Sequence, residues 1–324
     1  MVMTTSQWTR TTSLIEYEKP MFDEAISNTW DYGQVFGDKA KLGPGDQEIR
    51  GYLWSGFGLP HERKFGEDIQ TEAMKEIGEW TLSDVEIALG SDIDDKLLED
   101  MRHITEKQFL NKLGTSMGQS FSQARCLYAA SVFNRAFSAA TGQVMYDSKA
   151  LCADDHPLYG TGEVYDNKLA AGSVSFSNIW DMIDKLRIDQ YTHNGLRKRG
   201  TPESIVLHDS HARDITRILN QQYEFDGTVA TGGSATGTEY VSSKNVNSLA
   251  KKNIKVVYCI ELEDTDDNFM LGKNAKQNLV FRIRKNLSAK WEFGRRNRTR
   301  SVFNHMRLMT GVIDYLDFVG RPGS

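Results

Sequence analysis

Residues 94–142 read DDKLLEDMRHITEKQFLNKLGTSMGQSFSQARCLYAASVFNRAFSAATG. Leu97, Met101, Ile104, Leu110, Leu113, Met117, Phe121, Ala124, Tyr128 and Val132 recur at steps of three and four. That spacing marks one face of a helix. Asp94 and Asp95 suit its start, where carboxylates oppose the helix dipole, and Gly142 suits its end. Some forty residues at 1.5 Å rise make a rod of about 60 Å, with bends expected at Gly114 and Gly118. Such a rod is too long for a compact domain of ordinary dimensions. It reads as a spine to which other elements attach.

The rest of the composition is that of an ordinary soluble protein. Of 324 residues, 39 % are apolar and 26 % charged, which excludes a disordered or fibrous chain. No run approaches about 18 apolar residues, so a membrane span is not expected. The first twenty residues lack a signal-peptide pattern. Cys126, Cys152 and Cys259 are odd in number and far apart, which points to reduced thiols and intracellular synthesis.

Net charge is −5 but unevenly spread. Residues 62–100 hold thirteen acids against four basic residues, and 273–307 hold eleven basic residues against Glu292 alone. Separation of this kind fits two surfaces that meet, or a basic surface facing a polyanion. RRNRTR at 295–300, near Trp291 and Phe293, has the make-up of a single-strand nucleic-acid contact. A strand whose wet face carries Arg282, Arg284 and Lys290 pairs equally well with carboxylates. Carboxylate partners are the favoured reading.

Around the spine the chain is mixed. Residues 1–58 have little periodicity but scatter Trp8, Trp30, Tyr32, Phe36, Tyr52, Trp54 and Phe57, as expected of an arm lying on a neighbouring subunit. Residues 62–89 alternate roughly, as in an exposed hairpin with bends at Gly66 and Gly78, or form a short helix over 71–77. A helix over 173–189 has Ser175 or Ser177 as cap. A buried strand at Ile205–Leu207 leads into a helix over 210–221. Residues 227–245 are glycine-rich and loop-like. Strands are expected at 253–262, 278–286 and 311–319.

Chemical sites fare poorly. Cys152, Asp154, Asp155 and His156 cluster in sequence, but a zinc site needs four convergent ligands. His208 and His211 straddle a helix start, so their rings diverge. There is no GxSxG elbow, and GGSATG (232–237) lacks the lysine of a phosphate loop. We therefore expect no catalytic, cofactor or metal residues.

The order of parts resembles the major capsid proteins of tailed bacteriophages, the Hong Kong ninety-seven-like fold. The residues that carry the resemblance are ALCADDHPLYGTGEVYDNKLA (150–170), GSVSFSNIWDMIDKLR (172–187), TPESIVLHDSHARDITRIL (201–219) and MRLMTGVIDYLDFVG (306–320). The last is similar to the terminal strand of the Mu-like head-subunit branch. Leu207-His208-Asp209 and Asn167-Lys168-Leu169 depart from the family pattern.

The resemblance implies an α+β chain with an arm (1–58), an extended hairpin (59–92), a peripheral domain with the spine (93–198), an axial domain (199–275) and peripheral closing strands (276–324). It implies a structural protein that self-assembles into the hexamers and pentamers of an icosahedral shell around double-stranded DNA. Partners would be a separately encoded scaffolding protein, a portal protein and a decoration or cement protein, with no membrane. The location would be the virion, after synthesis in the host cytoplasm. Lys64 and Lys75 lie where some relatives form an isopeptide, but no Asn and Glu can be matched to them. On this reading the acidic stretch 62–100 of one subunit meets the basic stretch 273–307 of the next. An encapsulin-like compartment and a metal hydrolase using His208, His211 and Asp155 are the alternatives.

Overall fold

A computed structural model describes residues 16–25, 32–37, 48–65, 67–69, 71–94, 105–139, 145–220, 253–294 and 299–323. Trp8, Trp30, Gly66, Leu97, Met101, Ile104, Gly142, the loop 227–245 and Arg295, Arg296 and Arg298 lie outside them. In order come α1 (16–25), α2 (Tyr32–Val35), β1 (Glu48–Trp54), β2 (Glu76–Ser83), β3 (Val85–Asp94) and α3 (Glu106–Asn134). After these come β4 (His156–Pro157), β5 (Val164–Tyr165), α4 (Phe176–Ile188), β6 (Pro202–Leu207) and α5 (Ala212–Asn220). β7 (Lys255–Tyr258), β8 (Asn268–Gly272), β9 (Leu279–Gly294), β10 (Thr299–Val312) and β11 (Phe318–Arg321) complete the described elements.

The spine is α3, but it is shorter than its periodicity indicates. Asp94 closes strand β3, and the helix begins after Thr105. Thr105 Oγ1 accepts from Gln108 N–H while Gln108 Oε1 accepts from Thr105 N–H, a reciprocal cap. At the other end Asn134 Nδ2 donates to Glu261 O and its Oδ1 accepts from Glu263 N–H. Those 29 residues span about 44 Å.

Two cores lie along this helix. Leu110, Met117 and Phe121 pack with Val302, Met306 and Leu308, whereas Ala129, Val132 and Phe133 pack with Phe269, Leu271 and Phe318. One helix thus joins the three-stranded sheet, ordered β3-β10-β9, to the four-stranded sheet, ordered β11-β8-β6-β7.

Gly114 and Gly118 have a use the sequence did not reveal. A Cβ on Gly118 would come within 2.5 Å of Met21 O, and one on Gly114 would overlap Tyr17 O. The two glycines form a notch that seats α1. Tyr17 and Met21 are fully buried there, and Tyr17 accepts from Asn304 Nδ2 at 2.7 Å. This corrects the expected arm on a neighbour: residues 16–25, with Val35 and Phe36, pack on their own chain. The small surface of a glycine pair makes the intrachain seat available.

The hairpin also differs. β1 pairs antiparallel with β2, Glu48 opposite Ser83 and Leu53 opposite Gly78. It therefore starts at Glu48, and Gly78 is a strand position. No helix occupies 71–77. β1 was hidden because Tyr52 and Trp54 lie on its exposed face and blur the alternation. β3 belongs to the other sheet, paired with β10 over Val85–Leu308 to Asp94–Thr299.

Part of the charge expected to meet between subunits is matched inside one chain. Arg284 pairs with Asp84 at 2.6 Å, Arg307 with Glu86 at 2.9 Å and Arg300 with Glu106 at 3.0 Å, all within one chain. Neighbouring strands of one chain bring the two signs together without the entropy cost of association. Arg284, Lys290, Arg300 and Arg307 of the basic stretch thus have carboxylate partners within the chain.

Residues 311–319 are not one strand. β10 ends at Val312, and 313–317 cross to β11 in the second sheet. The strand expected over 253–262 is shorter, Lys255–Tyr258.

Gly118→Val should unseat α1 and lower stability by about 2–4 kcal/mol, the usual cost of uncovering large buried side chains. Thermal unfolding checks this against Ser120→Val on the exposed face of the same helix, which should change stability by no more than about 0.5 kcal/mol.

Candidate functional site: a buried polar junction beside an exposed hairpin

The residues singled out by sequence do not converge on a chemical centre. His208 Nδ1 accepts from Ser210 N–H and caps the short turn Asp209–His211. His211 Nε2 faces Asp266 at 2.9 Å. Asp155 pairs with Lys149. Each is engaged separately, and among the described residues no group of three or more His, Cys, Asp or Glu is placed to hold a metal. All three cysteines are buried and unbridged. Burial pushes the Cys152 thiol up, and pushes Cys259 up to about 12. Neither is an activated thiolate.

His156 does something else. Its side chain and that of Asp147 are wholly buried, with Nδ1 and Oδ2 2.6 Å apart. Nε2 faces Leu151 O at 3.3 Å. Both ring nitrogens thus face oxygen atoms. The ring stacks on Tyr315, centroids 3.8 Å apart. On the far side His193 Nε2 donates to Asp314 Oδ2 at 3.0 Å, and Nδ1 lies 3.2 Å from the Tyr146 hydroxyl and 3.4 Å from that of Tyr315. Two Asp–His pairs therefore flank one tyrosine. Sequence spacing could not show this, because the members come from residues 146–156, 193 and 314–315.

Chemically the junction is a set of hydrogen-bonded polar groups, beside which the buried Tyr165 hydroxyl has no partner among the described residues. Burial, with the Asp314 charge next, holds the Tyr146 hydroxyl far above its ordinary range, and burial does the same to Tyr315 and Tyr165. A phenol so held donates a hydrogen bond and is no nucleophile. The junction sits where the chain crosses between sheets, and the crossing is pinned throughout. Ile313 N–H donates to Asn278 O. Asp317, at φ 68°, is gripped by Gln190 Nε2 at 2.9 Å and Lys198 Nζ at 2.7 Å.

The hairpin beside it is the opposite case. Its base packs through Ile49, Leu53, Trp80 and Leu82 on Val280, Met309 and Ile313. Beyond that base, Phe57, Leu59, Phe65, Ile69 and Met74 are exposed, Leu59 and Ile69 by more than 70 %. Between hairpin base, α3 and β10 runs a groove of about 660 Å³ walled by Trp80, Leu127, Tyr128, Met145 and Tyr146.

No protein-family profile matches the chain, and no curated protein matches it. Solved structures do. A chain of Microbacterium phage Oxtober96 is similar over 92 % of both chains, with TM-score 0.54 and 10 % identity. The capsid of an empty GTA particle gives TM-score 0.54 and 12 % identity over 92 % of this chain and 91 % of that one. A virus-like particle from Pyrococcus furiosus gives TM-score 0.51 and 7 % identity over 94 % and 97 %. The chain has the Hong Kong ninety-seven-like fold of tailed-phage capsid structures, an α+β fold.

Removing His156 should leave Asp147 Oδ2 buried without its partner, with Oδ1 still accepting from Lys149 N–H. His156→Ala is expected to cost about 3–5 kcal/mol in chemical denaturation. Arg307→Ala, which breaks a largely exposed pair, should cost no more than about 1 kcal/mol.

Asp267 gives a pH test. Burial pushes its carboxyl up to about 6, with Asp264 and Asp266 adding to the effect. The folded state then binds a proton more tightly than the unfolded one, so stability falls as pH rises from about 4 through 6. Asp267→Asn keeps an acceptor for Gly323 N–H. It should flatten that fall and raise the melting temperature above pH 6, read by thermal melts across pH.

Proposed function

We propose that this chain is a major capsid protein, a structural subunit without catalytic, cofactor or metal residues. In this reading it self-assembles into hexamers and pentamers of an icosahedral shell enclosing double-stranded DNA. The observation that carries the reading is the hairpin. A ribbon fixed at its base and lined beyond it with Phe57, Leu59, Phe65, Ile69 and Met74 is unfavourable in water on an isolated molecule, and apolar surface of that extent marks a protein contact. The fold agrees, since it is shared over nine-tenths of the chain with a GTA particle's capsid.

The domain division expected from sequence belongs to this reading, with the hairpin moved to residues 48–83 and the closing strand β11, which pairs with β8, moved from the peripheral to the axial part. β3, α3, β9 and β10 then form the peripheral part, and β6, β7, β8 and β11 the axial part. A scaffolding protein, a portal protein and a decoration protein would be its partners, and the virion its location. No helix among the described residues is long and apolar enough to cross a membrane. Glu86 of β3 is paired with Arg307 within the chain, and this reading places the contact between subunits at the exposed apolar hairpin end.

The likeness to the Pyrococcus furiosus particle favours a second reading, an encapsulin-like shell of the same fold. Nuclease-resistant DNA inside purified particles supports the first reading, and a packaged protein supports the second.

Leu59→Asp with Ile69→Asp should abolish particles in negative-stain electron microscopy and light scattering while leaving the melting temperature within about 2 °C, because neither side chain is buried in the subunit. Particles that still form, or a wild-type chain that stays monomeric at every concentration, would contradict the proposal.

A further inference from the structure

Residues 185–201 hold five basic residues against Asp189 alone. Three of the five are paired, since Lys185, Arg187 and Lys198 have Asp166, Asp184 and Asp317 within 4.0 Å. Arg197 and Arg199 are exposed and form no ion pair among the described residues. Arg197 rests on Tyr191 instead, its guanidinium 5.9 Å from the ring centroid and its Nε donating to the hydroxyl at 3.4 Å. Asp189 acts on Arg197 only through space.

The backbone sets the direction of these side chains. Lys198 N–H donates to Gln190 O and Gly200 N–H to Leu186 O, which closes the end of α4. Side chains alternate along an extended segment, and residues two apart stand on one side at a spacing of about 6.7 Å. Burial over 197–201 follows that alternation: Arg197, Arg199 and Thr201 are exposed, with Lys198 half-buried and Gly200 buried between them. Lys198 thus turns in to Asp317, and the two arginines share the outer side. Lys273 joins them there. Its N–H donates to Thr201 O at 2.9 Å, and its side chain is exposed with no carboxylate partner among the described residues.

Three like charges on one rim repel each other, so a partner with repeated negative charge relieves them. Duplex DNA offers one phosphate per about 3.4 Å of axis on each strand. A guanidinium fork meets two oxygens of a phosphate at once, and the seat on Tyr191 already orders that of Arg197. We propose that Arg197, Arg199 and Lys273 form a rim that contacts the phosphates of the duplex DNA inside the shell. The rim rests on the capsid reading above. It touches backbone and not bases, so it carries no sequence preference.

The test is fluorescence anisotropy of a labelled DNA duplex with the full chain as dispersed subunits, so that it depends neither on shells forming nor on what they package. The wild type should bind duplexes of different sequence alike, and log K should fall against log salt with a slope of about −2.7, or about 0.9 per phosphate. Arg197→Gln, Arg199→Gln and Lys273→Gln should each take about 0.9 off that slope, and the three together should weaken binding at least about tenfold at about 0.1 M salt. Lys112→Gln with Arg213→Gln and Lys285→Gln removes three exposed cations elsewhere, and should leave the affinity within about twofold, since charges beyond about 10 Å are screened at that salt. No binding by the wild type, a rim triple that binds as the wild type does, or equal weakening in the two triples would overturn the rim. Failure of the capsid reading shows elsewhere, in particles that carry protein instead of DNA.

Discussion

The crossing from β10 to β11 is the constraint on which the rest depends. Five residues, 313–317, carry the chain from one sheet to the other, and almost every polar group on them is held. Tyr315 is the centre, stacked on His156 and within reach of His193 and Pro157 O. Because the crossing is pinned and α3 feeds both cores, the two sheets act as one body. A rigid body with a projecting ribbon is what a tile requires: shape is kept in the body, and adjustment is confined to the ribbon.

Burial is divided to match. Groups inside the body are paired even when ionic, as Asp147 with His156 and Asp317 with Lys198. On the three-stranded sheet Arg307 of β10 is matched by Glu86 of β3. Phe57, Leu59, Phe65, Ile69 and Met74, on the hairpin beyond its base, are left exposed. In the proposed reading those exposed side chains are covered when copies assemble.

Much of this was legible in the sequence. Periodicity located the spine, the amphipathic helix after Ser175 and the alternating strand β9, since each depends on local spacing. The cap at Thr105 was also readable, as a threonine followed three residues later by glutamine, but the paired aspartates upstream competed with it. Three things were not legible. The register of β3 on β10 brings residues about 215 apart into contact, so the acidic and basic stretches looked like surfaces awaiting partners. The Gly114–Gly118 notch reads as a bend until α1 is seen in it. The junction draws residues from three distant segments, and His156 beside a cysteine and two aspartates resembled a ligand cluster when it is buried against Asp147.

The most direct measurement is hydroxyl-radical footprinting of Phe57, Phe65 and Met74 in dispersed subunits and in assembled particles. The account predicts that all three are oxidised readily in the dispersed chain and protected several-fold in particles, because another copy covers them. Equal oxidation in both states would show that the hairpin end is not the contact, and the account would fail.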